Sequence, residues 1–149
     1  MASTIVAADL AVTITEAITL NNVDQGGSHT LTVSNVNEVS RRILTVPTSE
    51  VDVLGLSSAN GQGDIDRAGF VYLRITNLDD TNFVRIRVNE DTGDTFDVKV
   101  EAGKSFMLTA DKVEVNTTGA AFSAFVDIDQ VSAMADTAAV DIEIFAAST

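Results

Sequence analysis

With 149 residues and no cysteine, the chain is long enough to bury a hydrophobic core without staples, and neither a disulfide nor a thiolate nucleophile is possible. Nine lysines and arginines stand against twenty-two aspartates and glutamates, a formal charge of −13 that argues against nucleic acid as a direct partner, since phosphate binding needs a cationic surface. The N-terminus lacks the basic and apolar regions of a secretory signal, and no uncharged apolar run approaches the roughly 20 residues of a membrane helix, so the expectation is a protein made in a cytosol with no membrane partner.

Residues 1–9 read as an N-terminal arm, followed by one domain over residues 10–149. Leu10, Val12, Ile14, Ile18 and Leu20 fall on one parity and Thr13, Thr15 and Thr19 on the other, the period of a half-buried strand or of two shorter ones. Glu16 shares the apolar parity, which predicts a bend, a bulge or an exposed edge there. Asn21-Asn22 and Gln25-Gly26-Gly27-Ser28 are turn material, and Thr30–Val33 is a short strand. Asn35 and Glu38 have the spacing of a helix capping box, and Val36, Val39 and Ile43 have helical spacing. The β-branched run Arg42–Val46 before Pro47 favours a strand that stops at the proline, with at most one helical turn before it. Val51–Leu56 is a further strand, and Ser57–Gly69, with three glycines, is the clearest loop.

Three well-patterned strands follow at 70–77, 82–88 and 95–100, the last two joined by a hairpin tip at Asp91-Thr92-Gly93-Asp94. Ser105–Thr109 comes after an Ala102-Gly103-Lys104 turn. Val113–Val115 and Phe122–Ile128 add two strands, the small residues of Val131–Ala138 read as loop or short helix, and Val140–Ile144 is the last strand. Short strands with turns between them predict an all-β fold, a single antiparallel β-sandwich of jelly-roll type. The shared parity puts Leu73, Ile75, Val84, Ile86, Val88, Phe96, Val98, Val100, Phe106, Val126, Ile142 and Ile144 in its core.

Chemistry is harder to find. His29 is the sole histidine; Asp24 and Ser28 lie near it, but no nucleophile-elbow pattern accompanies them, so it reads as a surface residue in a turn. The pairs Asp64/Asp66, Asp79/Asp80, Asp91/Asp94 and Asp127/Asp129 match no spaced calcium loop and read as turn formers, Asp64 and Asp66 being the first choice were a metal bound. Gly61-Gln62-Gly63 lacks the third glycine of a dinucleotide fingerprint. A hydrolytic carboxylate pair cannot be singled out from so many acids. The expected catalytic, cofactor and metal residues are therefore none. If Val88 pairs with Phe96, Arg87 faces Asp97, Arg85 faces Lys99, and Arg85 lies diagonal to Asp97 and Glu101. That is either a salt-bridged outer face or an interface.

The stretches Val71–Asn77 and Phe83–Val88, with the turn in Val100–Leu108, resemble small virion structural proteins of tailed bacteriophages, in which a strand ending in Thr-Asn and an Ala-Gly-Lys-Ser-Phe turn recur. The resemblance covers residues 70–108 and the closing strand through Ile144. It implies a non-enzymatic capsid decoration or cement protein located in the virion. Such a protein would bind the major capsid protein or another virion protein as a symmetric homo-oligomer, a trimer before a dimer, and bridge neighbouring shell subunits. A tail or fibre component is the first alternative. A carbohydrate-binding or adhesion sandwich is the second, weakened by the absence of tryptophan and by a single tyrosine, Tyr72. The uncharged ends, Ala2–Val6 and Phe145–Thr149, suit arms laid on a neighbour.

Overall fold

Period-two alternation becomes strand almost wherever it occurs. A computed structural model describes residues 4–57, 64–115, 119, 121 and 124–149, and the chain divides into two units, residues 1–37 with Thr149, and residues 38–148. The strands of the sandwich therefore begin at Glu38, well after the expected boundary at residue 10.

The first unit is a two-stranded antiparallel ribbon. β1 (Ala8–Glu16) pairs with β4 (Gly27–Val36), and β2 (Thr19–Leu20) pairs with β3 (Val23–Asp24) at the tip. Asn21 and Asn22 turn the tip with φ of 50° and 63°; two successive left-handed residues match the twist of the flanking strands, and asparagine tolerates that region. The interruption expected at Glu16 falls there: β1 ends, and the Gln25 amide donates to the Ile18 carbonyl at 2.9 Å across the gap. Gly26 lies so close to the Glu16 carbonyl that a β-carbon would collide with it. One expectation fails: His29 is in strand β4 opposite Ile14, not in a turn, because Gly27 and Ser28 continue the ladder against Glu16 and Thr15.

The second unit contains β5 (Glu38–Val46), β6 (Val51–Ser57), β7 (Asp64–Asp66), β8 (Phe70–Asn77), β9 (Val84–Glu90), β10 (Thr95–Val100), β11 (Ser105–Leu108), β12 (Lys112–Val113), β13 (Val126–Ala135) and β14 (Val140–Ser148). One sheet has the order β10-β9-β13-β6-β7, with β12 also on β13; the other has the order β11-β8-β14-β5. Every pairing is antiparallel except β6 with β7. The two sheets form an all-β sandwich around one apolar core, with residues from both sheets in it. Leu73, Ile75, Val84, Ile86, Val88, Val100, Ile142 and Ile144 are at most 3% exposed, and Phe96, Val98 and Phe106 are half-buried against them. Val126 lies outside that cluster and is half-buried, at the start of β13 where only the two-residue β12 pairs with it.

Four further expectations are corrected. In Val131–Ala138 only residues 136–138 are loop: β13 runs through the rest to Ala135. Its register shifts between Ile128 and Gln130, so the core-facing parity changes from Ile128 to Val131, Ala133 and Ala135. Phe145–Ser148 is no arm, since β14 runs between β8 and β5 and buries Ala146, Ala147 and Ser148. The Ser57–Gly69 loop contains β7, parallel to β6, with Ile65 buried; residues 58–63 lie outside the described residues. The strand expected to stop at Pro47 does so, β5 ending at Val46, with the single residue Asn37 and no helical turn between it and β4. The strand expected from Phe122 begins at Val126, and Phe122 itself lies outside the described residues.

Candidate functional site

The β9–β10 hairpin has the expected register, with Val88 opposite Phe96, Arg87 opposite Asp97 and Arg85 opposite Lys99. Alternation sends Arg85 and Arg87 to the same outward face. Arg87 grips Asp97 with two bonds, Nε to Oδ1 at 2.7 Å and Nη2 to Oδ2 at 2.9 Å. The Arg87 guanidinium holds the Asp97 carboxyl below the usual carboxylate range, and Asp97 raises Arg87 in return. Glu50, just before β6, joins both arginines, with Arg87 Nη1 at 3.1 Å and Arg85 closer still. No local pattern points to this residue, which lies 35 positions from Arg85. The facing cations Arg85 and Lys99 are reconciled because Arg85 turns to Glu50, while Lys99 reaches Glu101 at 2.6 Å and lies 4.3 Å from the centre of the Phe83 ring. This face is a closed ion-pair network within one chain.

The Thr-Asn and Ala-Gly-Lys-Ser-Phe motifs meet in space and have structural roles. Asn77 is fully buried at the end of β8. Its Nδ2 donates to the carbonyls of Asn82 at 2.9 Å and Val100 at 3.1 Å, and its Oδ1 accepts the Asp79 amide at 2.9 Å. Its own amide donates to the Lys104 carbonyl at 2.9 Å, and Gly103, at φ 70°, allows the Glu101–Lys104 turn that presents that carbonyl.

The aspartate pairs are occupied by their own chain. Asp79 accepts the amides of Thr81 and Asn82 at 2.8 and 2.6 Å, and these bonds lower its pKa. Asp80 accepts the Thr81 hydroxyl. Arg67 bridges Asp91 at 2.8 Å and Asp129 at 3.4 Å, and Asp127 pairs with Lys112. Asp94 supplies the carbonyl that closes the hairpin onto Glu90. Asp66 caps the Ala68 amide at 3.1 Å, and Asp64 packs against Gly55, where a β-carbon would collide with its Oδ1. Among the described residues, no three histidines or carboxylates converge as metal ligands. His29 and Ser28, adjacent in β4, point to opposite faces, so these two do not meet as base and nucleophile. Ser28 shares a hydrogen bond with Thr15 at 3.2 Å, and Asp24 accepts the Gly26 amide at 2.8 Å.

Among the described residues, each unit has a surface that carries exposed apolar side chains. The ribbon has two unlike faces. Leu10, Val12 and Ile14 with His29, Leu31 and Val33 make one; Ala11, Thr13 and Thr15 with Ser28, Thr30 and Thr32 make the other, where Thr13 and Thr30 share a hydrogen bond of 3.0 Å. Towards the tip Ile18, Leu20 and Val23 are about half exposed. Among the described residues the outer edges of β1 and β4 pair with nothing, and neither strand carries the lysine or proline that usually blunts such an edge. In the sandwich, the outward face of the four-stranded sheet places Val39 and Ile43 of β5 beside Ala147, Phe145 and Glu143 of β14 and Tyr72 and Arg74 of β8, with Met107 of β11 next to Arg74. Tyr72 and Phe145 meet edge to face, and Val39, Ile43 and Met107 are 54, 63 and 42% exposed. Glu143 accepts from Arg41 at 3.0 Å and from Arg74, and the two arginines hold its carboxyl below the usual range. Comparison with protein-family models, with curated proteins and with solved structures finds no match to this chain.

Proposed function

We propose that this chain is a non-catalytic structural protein of a bacteriophage particle, a capsid decoration or cement protein that works in many copies and bridges neighbouring shell subunits. The observation that carries the reading is the ribbon. A two-stranded hairpin is at best marginally stable alone in water, and this one has, among the described residues, two unpaired edges and exposed Ile14, Ile18, Leu20 and Val23 towards its tip. Such an element suits assembly better than turnover of a small molecule. The resemblance agrees, since its motif residues Asn77 and Gly103 fix loops and touch no assembled reactive groups. The net charge of −13 keeps a free subunit soluble until it finds its place.

The test is electron cryomicroscopy and protein mass spectrometry of purified particles, with and without the gene for this chain. The expected result is ordered density on the outer shell in many copies, and particles that lose heat resistance without it. Density confined to the tail would move the protein to the alternative location. Particles that lack the chain altogether would refute the reading.

A further inference from the structure

We propose that the ribbon of one copy docks its apolar face on the outward face of the four-stranded sheet of a second copy, so that each subunit both gives a ribbon and receives one. This rests on reading the ribbon as an assembly element, and names its partner. Three observations choose a second copy over a foreign protein.

The first is that one chain carries both halves of the contact. On the ribbon stripe Leu10, Val12, Leu31 and Val33 are half-buried and Ile14 is 37% exposed, and on the sheet face Val39, Ile43 and Met107 are exposed. A foreign partner on the ribbon would leave the sheet face open; exchange covers both.

The second is charge. Residues 1–37 carry Asp9, Glu16 and Asp24 and no lysine or arginine. On the outward side of the edge strand β5 the charge offered to solvent at Arg41 is positive, because its side chain is 67% exposed while that of its partner Glu143 is 17% exposed. The spacing also agrees. Glu16 lies two residues beyond Ile14 on the ribbon's apolar face, and Arg41 lies two residues before Ile43 on the outward face of β5. When Ile14 sits on Ile43 with the strands antiparallel, Glu16 reaches Arg41.

The third is area. Nine residues at about 3.4 Å each, with two strands roughly 5 Å apart plus side chains, give a ribbon face of about 300 Å². One ribbon on one partner would bury about 600 Å² in total, below the roughly 1,200–2,000 Å² of stable interfaces. Mutual exchange in a dimer doubles that figure and brings it to the lower end of the range, whereas a ring leaves each pair of neighbours with a single ribbon contact.

The absence of cysteine makes the test clean. Full-length Ile14→Cys and Ile43→Cys are mixed under mild oxidation, and the disulfide-linked peptides are identified by mass spectrometry. We expect a mixed 14–43 link between chains, and a dimer of wild-type protein by light scattering. Ile14→Asp should weaken the oligomer on the order of a hundredfold, since it buries an unpaired carboxylate. Thr32→Asp, on the hydroxyl face, should leave it intact. Glu16→Arg and Arg41→Glu should each weaken it, and together restore it. A wild-type chain that stays monomeric, 14–14 links without 14–43 links, or an oligomer indifferent to Ile14→Asp would each overturn the proposal. Because only purified chain is used, the outcomes separate. An exchanged oligomer absent from particles would refute the particle reading alone, and a monomer found in particles would refute the exchange alone.

Discussion

Asn77 shows how a single side chain can hold a sandwich together at its loops. All its hydrogen-bonding groups are engaged in a site closed to water, and its partners come from the β8–β9 loop, the end of β10 and the turn before β11. Asn77→Ala should cost about 2–3 kcal/mol, because the carbonyls of Asn82 and Val100 lose a donor, the second of them in a buried site. Equilibrium urea unfolding measures this, and a loss below about 0.5 kcal/mol would show that the loop relaxes to satisfy itself. The Thr-Asn dipeptide stood out in the sequence, but its role did not, since an asparagine at the end of a strand is equally at home in an exposed turn. Gly55 was silent for another reason. Its need for a bare α-carbon comes from Asp64, which reaches it only through the parallel pairing of β6 with β7, and no local pattern announces that pairing. Gly55→Ala should lower the melting temperature, and Asp64→Ala in the same chain should recover part of the loss.

At the scale of elements, legibility followed regularity. The β9–β10 hairpin could be read to the residue, because Val84–Val88 and Phe96–Val100 alternate without a break and Gly93, at φ 98°, marks the turn. β13 could not, because its bulge moves the core face by one residue and its core positions are filled by Ala133 and Ala135, which carry little hydrophobic signal. The last residues of β14 were misread for the same reason: Ala146, Ala147 and Ser148 are small because they are packed, not because they are loose. The ribbon was legible as strands but not as a separate unit, since alternation along a strand does not say which unit the strand belongs to. The core cluster draws only on residues from Val46 onward, with Leu44 packed against it. A chain beginning at Glu38 should therefore keep a cooperative thermal transition and a β-type circular dichroism spectrum. Loss of the transition in that truncation would show that the sandwich depends on the ribbon for its fold.

For the whole molecule, two electrostatic effects oppose each other, and their balance can be tested. Asp79, Asp97 and Glu143 have folded pKa values below their ordinary ones, through backbone amides for Asp79 and arginine partners for the other two. A depressed carboxylate contributes stability that is fully present above its unfolded pKa, about 4, and is lost as pH falls through the folded value. Arg67, Arg87 and Lys112 are raised, so their share is complete below their ordinary values and declines only in strong alkali. Over neutral pH the pairs are thus intact and nearly constant. Self-repulsion is not constant: a charge of −13 at pH 7 falls towards zero at a pI near 4.1. Acidification from pH 7 to about 5 should therefore raise the melting temperature, and further acidification below about 4 should lower it as the paired carboxylates take up protons. Salt separates the two contributions. Exposed ion pairs are individually weak and repulsion acts over the whole surface, so adding salt at pH 7 should raise the melting temperature. Asp97→Asn should soften the fall below pH 4 while leaving the salt response in place. A melting temperature that drops with salt at pH 7 would mean that the arginine networks around Glu50 and Glu143, not the net charge, dominate the electrostatics of this fold.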